Sequence, residues 1–352
     1  MEPFFSLRRL VKFIMIPLES PRIAKYVLAW AGIGIIALGL LSSLLSKPSI
    51  WIDLPDPGEP IAFYSNQRGD DLDRVLRTAI EKAKNQIYLE IFNLSEPSVI
   101  KLLNQKAKEG LAIRLIVERQ NYEKLRKTLS SKITLEKGLS QGLMHRKILV
   151  IDQHQCWMGS ANFTWESLKS DGNLLAGVSN RDLARLLIDS NYPSHGSVRN
   201  LGQLIEVWNI PEARASATHL IDAIQSARKT VQVAMFTWTR MDLAHAVADA
   251  HKRGLKVQVI LDRKTVEGAS EKVFRYLKEQ KVPVKVHTGP GRFHHKFLLI
   301  DHSRLFFGSV NWTEQGFSKN RDILVYIPAL TEPQEAFMDQ LWHQNWQHAQ
   351  VP

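Results

Sequence analysis

The sequence predicts an α/β protein built from two tandem repeats, each a largely parallel sheet flanked by helices. Three observations support this prediction: strand and helix patterns alternate along most of the chain, one polar motif occurs twice, and a segment of 20 residues near the N-terminus carries no charge. Alternating strands and helices are typical of a parallel sheet with helical layers. Two copies of one fold can pack about a pseudo-twofold axis, and the uncharged segment predicts an N-terminal transmembrane helix.

The uncharged segment, residues 26–45, would span about 30 Å as a helix, which is the thickness of the hydrocarbon core of a bilayer. Basic residues dominate positions 1–25, so the positive-inside rule predicts a cytoplasmic N-terminus, a single pass through a bacterial inner membrane and an extracytoplasmic catalytic region. A cleaved signal peptide is the alternative, although its apolar region is usually shorter. Prolines in residues 46–60 predict a short stiff linker after the anchor.

Apolar spacing predicts the same succession of helices and strands in the early part of each repeat. For the first repeat, residues 61–190, the elements are helices at 72–83 and 98–109 and strands at 86–92 and 112–117. For the second repeat, residues 200–352, they are helices at 220–224 and 242–252 and strands at 230–236 and 257–261. The copies are offset by 144 residues at Phe92 and Phe236 but by 149 residues at the histidines of the motif, so the second copy has extra residues between these points.

The polar motif occupies residues 145–173 in the first repeat and 294–322 in the second. Each copy has a histidine, a lysine two residues later and an aspartate seven residues later, followed by Gly-Ser-x-Asn. The apolar run between lysine and aspartate predicts a buried strand, and the histidine and lysine share one side of it. Either copy alone could be a core histidine beside a surface lysine, but the matched pair predicts one site shared by both repeats.

Both copies resemble the signature of the phospholipase D superfamily, His-x-Lys-x4-Asp followed by Gly-Ser-x-Asn. The resemblance implies phosphodiester transfer through a phosphohistidine, without a metal or other cofactor and without a partner chain, since both halves lie in one chain. It implies a catalytic set: His145, Lys147, Asp152, His294, Lys296 and Asp301. Within the superfamily the aspartate of this signature is usually structural. It also implies a phosphate-binding set: Ser160, Asn162, Ser309 and Asn311.

An acidic residue 28 positions after the histidine orients the imidazole in several members of this superfamily. Asp322 occupies that position in the second copy, whereas the first copy has Asn173, with Asp171 two residues earlier. An amide oxygen can accept the imidazole N–H, but it cannot stabilise an imidazolium by charge, and its NH₂ end could impose the wrong tautomer. We therefore predict that His294, oriented by Asp322, is the nucleophile and that His145 is the general acid.

Charge and composition restrict the class of substrate. The 352-residue chain has a net charge of +11 and a pI of about 9.6, which favours an anionic partner, either phospholipid or nucleic acid. The leading hypothesis is a membrane-anchored phospholipase D that hydrolyses or transphosphatidylates phospholipid headgroups. The alternatives are a metal-independent nuclease and a non-catalytic binding protein of the same fold. The lone cysteine, Cys156, excludes an intrachain disulfide.

Overall fold

The computed structural model describes residues 52, 54–189 and 194–351. From Leu54 onward the described residues form one compact unit. The predicted basic N-terminus and transmembrane helix, residues 1–45, and residues 46–51 and 53 of the predicted linker lie outside the described residues. Within the described ranges, no helix has both the length and the apolar composition needed to cross a membrane.

Two sheets organise the described chain. The strands of the first sheet are β1 (Ala62–Tyr64), β2 (Gln86–Ile91), β3 (Ala112–Val117), β4 (Thr134–Lys137), β5 (Lys147–Ile151), β6 (Gln155–Gly159) and β7 (Leu175–Ser179). The strands of the second sheet are β8 (His195–Asn200), β9 (Gln203–Ile210), β10 (Thr230–Met235), β11 (Lys256–Asp262), β12 (Val284–His287), β13 (Lys296–Ile300), β14 (Arg304–Gly308) and β15 (Asp322–Ile327). The strand orders are β1-β7-β6-β5-β2-β3-β4 and β12-β11-β10-β13-β14-β15-β9-β8.

Helices connect many of these strands. Those of the first part are α1 (Leu72–Glu81), α2 (Pro97–Lys108), α3 (Arg119–Thr128), α4 (Trp165–Lys169) and α5 (Arg181–Ile188). Those of the second part are α6 (Ser216–Gln225), α7 (Met241–Lys252), α8 (Arg263–Val266), α9 (Glu271–Glu279), α10 (Glu314–Ser318) and α11 (Glu332–His348). Local sequence explains where they begin: Asp71 accepts the Arg74 N–H at 3.1 Å ahead of α1, and a proline occupies the first turn of α2.

The sheets are mixed, so the prediction of largely parallel sheets is wrong. Among the described strands, only β2, β3 and β4, and likewise β10, β11 and β12, pair in parallel; the other neighbours are antiparallel. The alternation of helix and strand covers only the early part of each repeat, where crossover helices join parallel strands. After each motif strand the chain returns as a hairpin, through positive-φ turns at Asp152 and Gln153 and at Asp301 and His302.

The two sheets share one buried core. Ile148 and Val150 of β5 lie in the same apolar cluster as Phe297 and Leu299 of β13. A second apolar cluster joins the opposite face of the second sheet to α6, α7 and α9. All residues of β5 and β13 are buried, which confirms the prediction of strands covered on both faces.

The glycine of each Gly-Ser-x-Asn segment is required by the close approach of a neighbouring strand. A Cβ atom on Gly159 would lie 2.1 Å from the Leu174 carbonyl oxygen, and one on Gly308 would lie 2.3 Å from the Ile323 carbonyl oxygen. Contacts this short are repulsive, and the atom that would have to move belongs to the backbone. These glycines therefore allow β6 and β14 to end against β7 and β15.

Gly159→Ala and Gly308→Ala are each expected to lower the free energy of unfolding by about 1–3 kcal/mol or more, because the added methyl group has to displace backbone. Gly268→Ala is the control, since its Cβ atom would come no closer than 3.5 Å to the Lys264 carbonyl oxygen. Urea-induced unfolding of the full chain, followed by tryptophan fluorescence, measures these differences. Equal stability of all three variants would contradict the steric argument.

Candidate active site

The two motifs meet where the repeats exchange backbone hydrogen bonds. The His145 N–H donates to the Arg321 carbonyl oxygen at 2.8 Å, and the Arg321 N–H donates to the Leu143 carbonyl oxygen at 2.8 Å. At the pseudo-symmetric position, the Gly172 N–H donates to the Arg292 carbonyl oxygen at 2.8 Å. The segment that precedes each motif strand is therefore held against the other repeat.

Each predicted catalytic histidine is oriented by a residue of the other repeat. Nδ1 of His145 lies 2.8 Å from Oδ1 of Asp322, and Nδ1 of His294 lies 3.0 Å from Oδ1 of Asn173. All four residues are buried. The prediction that Asp322 orients His294 is therefore wrong, because the orienting contacts cross between the repeats instead of forming within one motif.

The orientation of the Asn173 amide fixes the tautomer of His294. The Nδ2 group of Asn173 donates to the Ser167 carbonyl oxygen at 2.8 Å, and a carbonyl oxygen can only accept. Oδ1 of Asn173 therefore faces His294 and accepts its Nδ1–H, which leaves Nε2 with a lone pair when the ring is neutral. The Asp322 carboxylate, which only accepts, imposes the same tautomer on the first histidine.

Ser160 and Ser309 support the two orienting residues. The Ser160 hydroxyl donates to Oδ1 of Asn173 at 2.8 Å, and the Ser309 hydroxyl donates to Oδ1 of Asp322. Each serine also accepts a backbone N–H, and both residues are buried. They do not form the predicted phosphate-binding pair, because their only hydroxyl hydrogens are used to hold the residues behind the imidazoles.

Asn162 and Asn311, the other predicted phosphate ligands, are only partly buried. Neither side-chain amide makes a hydrogen bond within the described residues, and Oδ1 of each is buried without a partner. The Asn162 N–H donates to the Ser167 hydroxyl at 2.8 Å, which holds its backbone in place. Both amides are therefore available to a ligand, and their assignment as phosphate-binding residues stays a prediction.

Lys147 and Lys296 are buried side chains without an ion-pair partner in the described part of the chain. Nζ of Lys147 donates to the His145 carbonyl oxygen at 2.6 Å, and Nζ of Lys296 donates to the His294 carbonyl oxygen at 2.9 Å. Each ammonium group also lies over a phenylalanine ring. Asp322 contacts an imidazole, and the charges of Asp322, Asp171 and Asp262 act on Lys296, but none of these acids forms an ion pair with either lysine. An anionic ligand can therefore supply the counter-ion when the lysines are protonated.

Burial and mutual repulsion lower the pKa values of these basic groups. Burial lowers the pKa of Lys147 to about 7, and burial together with Lys147 holds the pKa of Lys296 well below its ordinary value. Burial, Lys296 and Lys147 hold the pKa of His294 well below its ordinary value. Burial and Lys147 also lower the pKa of His145, although Asp322 opposes them. Because the lysine of the first motif acts on the histidine of the second, the groups form one electrostatic site.

Asp152 and Asp301 do not reach this site. Each follows the far end of its motif strand, and a strand of five residues is about 17 Å long. Asp152 accepts the consecutive N–H groups of residues 84–86, and Asp301 accepts those of residues 228–230. Their inclusion in the predicted catalytic set is therefore wrong, and both carboxylates cap backbone instead.

An ion network beside the site was not predicted from the sequence. Glu90 of β2 is fully buried and accepts hydrogen bonds from Arg146 at 3.2 Å and from Arg321 at 2.7 Å. Burial opposes ionisation of Glu90, but the two arginines outweigh it and hold its pKa below the ordinary value. Arg146 adjoins His145 and Arg321 adjoins Asp322, so the network ties the repeats together at the site. The available signal was a glutamate within an otherwise apolar strand.

The chain matches the family described as "Cardiolipin synthase, PLD-like domain" over residues 76–190 and 220–343. Each matched stretch contains one copy of the motif, including its orienting position. The match therefore covers both halves of the site and the elements that position them.

Curated relatives match about a third of the chain each. The mitochondrial cardiolipin hydrolase of Mus musculus is 30% identical over 114 residues, which is 32% of this chain and 51% of that protein. The phospholipase D of Rickettsia prowazekii (strain Madrid E) is 24% identical over 127 residues, which is 36% of this chain and 58% of that protein. The chain thus spans about half the length of the curated relatives it matches.

A solved structure shares the fold over most of the chain. The phosphatidylserine synthase of Haemophilus influenzae Rd KW20 superposes with a TM-score of 0.67 at 12% identity, over 85% of this chain and 89% of that one. This likeness concerns the fold alone. The family match, by contrast, covers well over half of the 352 residues and includes both motifs. The chain therefore belongs to the phospholipase D superfamily, in the family of cardiolipin synthase PLD-like domains.

Proposed function

We propose that the chain is a phospholipase D-type phosphodiesterase that hydrolyses phospholipid headgroups through a phosphohistidine intermediate, without a metal or other cofactor. The observation that carries this proposal is the composition of the site: two imidazoles oriented through Nδ1 stand beside two buried lysines that lack counter-ions in the described chain. A phosphodiester carries one negative charge. It supplies the missing counter-ion and presents its phosphorus to a nucleophile and an acid.

His145 is the nucleophile in this proposal, and His294 is the general acid. Attack through Nε2 of His145 forms the N–P bond and leaves positive charge on the ring, which the Asp322 carboxylate stabilises. The bond from phosphorus to the leaving oxygen breaks, and His294 gives the proton on its Nε2 to that oxygen. These roles are the reverse of those expected from the sequence, because the pairing with Asp322 is reversed.

Water completes the reaction in a second step. Neutral His294 accepts a proton from the water as its oxygen attacks phosphorus. The N–P bond breaks, and its electron pair returns to the ring of His145. An alcohol in place of water gives the transphosphatidylation product by the same route. Throughout, Lys147 and Lys296 neutralise the non-bridging oxygens, with Asn162 and Asn311 as further hydrogen-bond donors.

A lipid substrate is favoured by the relatives and by charge. The relatives include proteins named mitochondrial cardiolipin hydrolase and phospholipase D. A net charge of +11 suits an anionic membrane surface. In this proposal the helix predicted at residues 26–45 anchors the chain, so that the catalytic region lies on the extracytoplasmic side beside phospholipid headgroups.

A nuclease is the second candidate, and one surface feature favours it. A groove of about 620 Å³ between α2 and α3 is lined by Lys101, Lys108 and Lys124, none of which has an ion-pair partner among the described residues. The groove begins at Ser95, whose N–H donates to the Phe163 carbonyl oxygen at 2.9 Å. A polynucleotide bound at one diester could place further phosphates there. Cleavage of single-stranded DNA but not of phosphatidylglycerol vesicles, both in chelator, would favour this candidate.

Alanine at each histidine separates the two roles. With bis(p-nitrophenyl) phosphate, His294→Ala is expected to release one equivalent of nitrophenolate in a burst and then stall, because this leaving group needs no proton but the second step needs a base. His145→Ala is expected to give no burst. On phosphatidylglycerol, His294→Ala should lose about 100- to 10,000-fold of the wild-type rate. Stopped-flow absorbance measures the burst, and peptide mass spectrometry locates the phosphoryl group.

His302→Ala is the control. Nδ1 of this histidine lies 2.7 Å from Oδ1 of Asp339, outside the site, so the variant should keep the wild-type rate. A phosphoryl group on His294 in the His145→Ala variant would reverse the assigned roles. If the wild-type chain turns over neither the nitrophenyl ester nor phosphatidylglycerol, the proposed function is excluded.

Asn173→Asp is expected to move the alkaline limb of kcat/KM to higher pH, by about one unit or more. As the acid, His294 must carry a proton, and burial and the lysines lower its pKa. Activity is therefore lost as the pH rises through that lowered pKa. A carboxylate at position 173 favours the imidazolium, raises the pKa and preserves the proton to higher pH. The Ser167 hydroxyl lies 3.2 Å from Nδ2 of Asn173 and can donate to the new carboxylate.

Asp322→Asn is the matched variant, because it replaces the carboxylate behind His145 with an amide, the opposite of the change behind His294. Since His145 must be neutral to attack, and Asp322 raises its pKa, the acidic limb should move to lower pH. The full pH dependence of kcat/KM on dispersed dibutyryl phosphatidylglycerol measures both limbs. If the two substitutions move the same limb, the assignment of nucleophile and acid is wrong.

A further inference from the structure

Large apolar side chains are exposed at four positions of the described chain: Leu139, Trp165, Leu201 and Val351. Leu201 lies in the turn between β8 and β9. Leu139 and Trp165, by contrast, belong to two segments that hold the active site. Leu139 is 79% exposed and Trp165 is 59% exposed, so neither side chain is part of the core. Both side chains are therefore open to solvent on segments that adjoin the site.

Leu139 lies on the loop that leads into the first motif. The Gly142 N–H of this loop donates to the Lys319 carbonyl oxygen at 2.9 Å, which docks the loop against the end of α10 in the other repeat. The Arg119 guanidinium donates to the Ser140 carbonyl oxygen at 2.9 Å and holds the loop from the first repeat. The exposed leucine is thus carried by a fixed loop a few residues before the first histidine of the site.

Trp165 opens α4, three residues after Asn162 of the first Gly-Ser-x-Asn segment. The same helix carries Ser167, whose carbonyl oxygen accepts from the Asn173 amide at 2.8 Å and whose hydroxyl accepts the Asn162 N–H at 2.8 Å. Trp165 therefore stands two residues from a group that positions the active site. Its backbone is held by these contacts while its ring is mostly in solvent.

Two cations accompany these side chains. Arg292 and Lys319 are exposed, and neither forms an ion pair among the described residues. The carbonyl oxygen of each accepts one of the backbone hydrogen bonds between the repeats, so both lie at the edge of the site. Two exposed acids lie on the adjoining helices. Glu314 of α10 forms an ion pair with Arg240 at 3.3 Å, and Glu166 lies on α4 next to Trp165. The loop of Leu139 is thus joined to Lys319, and the segment that follows α4 is joined to Arg292, by hydrogen bonds that adjoin the site.

We propose that Leu139, Trp165, Arg292 and Lys319, which we call the rim, form a docking surface for an anionic phospholipid bilayer. The two apolar side chains enter the boundary between headgroups and acyl chains, and the two cations bind anionic headgroups. Docking in this way brings the catalytic groups to the depth of the headgroup phosphodiesters. This inference rests on the proposed phospholipase function and specifies its substrate as a lipid within a bilayer.

The chemistry of the rim favours a bilayer over a nucleic acid. Surfaces that bind single strands use successive aromatic rings to stack bases and cations to bind phosphates. An exposed leucine serves neither purpose. The position that matches Trp165 at the 149-residue offset is Glu314, so the two repeats do not present a pair of aromatic rings. One tryptophan and one leucine between cations are typical of a surface that enters a membrane interface.

Rates on two forms of one lipid test the proposal. The full chain and its Leu139→Ala, Trp165→Ala and double variants are given phosphatidylglycerol as vesicles and dibutyryl phosphatidylglycerol in free solution. Each single variant is expected to lose about tenfold of its rate on vesicles, because one large apolar side chain no longer enters the interface. The rate on the dispersed lipid should stay at the wild-type value. Leu201→Ala, which removes an exposed leucine elsewhere, should keep both rates.

A fluorescent label reports docking directly. An NBD group attached to Trp165→Cys should shift to the blue when phosphatidylglycerol vesicles are added, and the same group attached to Leu201→Cys should not. The native Cys156 is buried and remains unlabelled. This readout is local to the labelled side chain, so it is independent of any other segment that holds the chain on the membrane.

Three results would overturn the rim as a membrane surface. They are an equal loss of rate on vesicles and dispersed lipid, an equal shift of the label at both positions, and a loss confined to cleavage of single-stranded DNA. If the wild-type chain does not hydrolyse even the dispersed lipid, the proposed function fails instead. In that case the label still decides whether the rim meets the bilayer.

Discussion

The exchange of hydrogen bonds between the repeats is the constraint on which the active site depends. Neither histidine is oriented within its own repeat: His145 is held by Asp322, and His294 is held by Asn173. If the repeats separated, both imidazoles would lose their orienting groups at once. The apolar core between the sheets and the buried ion network around Glu90 keep the repeats together. The active site is therefore complete only while the interface between the repeats is intact.

The buried lysines link that interface to the substrate. A buried ammonium group without a counter-ion is unfavourable, and the structure relieves this by lowering the pKa values of Lys147 and Lys296. With the pKa of Lys147 at about 7, proton binding and anion binding become coupled near neutral pH. A phosphodiester that enters the site restores the charge that burial had disfavoured. In the proposed function, binding of the phosphodiester and protonation of the lysines therefore favour each other.

The sequence predicted that the two motifs meet in one site, because their polar residues have the same spacing and each contains an apolar run typical of a strand buried on both faces. The pairing of Asp322 with His145 was not predictable, because it is a contact between repeats and no local pattern encodes it. Ser160 is a similar case. From the sequence, its hydroxyl could bind a phosphate oxygen or support Asn173, and only the structure shows that it donates to Asn173. The mixed sheets were missed because their antiparallel hairpins depend on positive-φ turns at Asp152 and similar non-glycine residues.

The difference between Asp322 and Asn173 gives a nearly symmetric fold an asymmetric chemistry. Both side chains accept the Nδ1–H of an imidazole, so the geometry of the two halves is the same. Of the two residues that contact the imidazoles, only Asp322 carries a negative charge, and neither lysine has an ion-pair partner among the described residues. A second carboxylate at position 173 would add negative charge beside the lysines before any substrate arrived. It would also favour the imidazolium on His294, the histidine that releases its proton in the proposed mechanism. The amide preserves the orientation of that ring and omits the charge, so in the proposed mechanism this one position affects both the charge of the site and the direction of proton transfer.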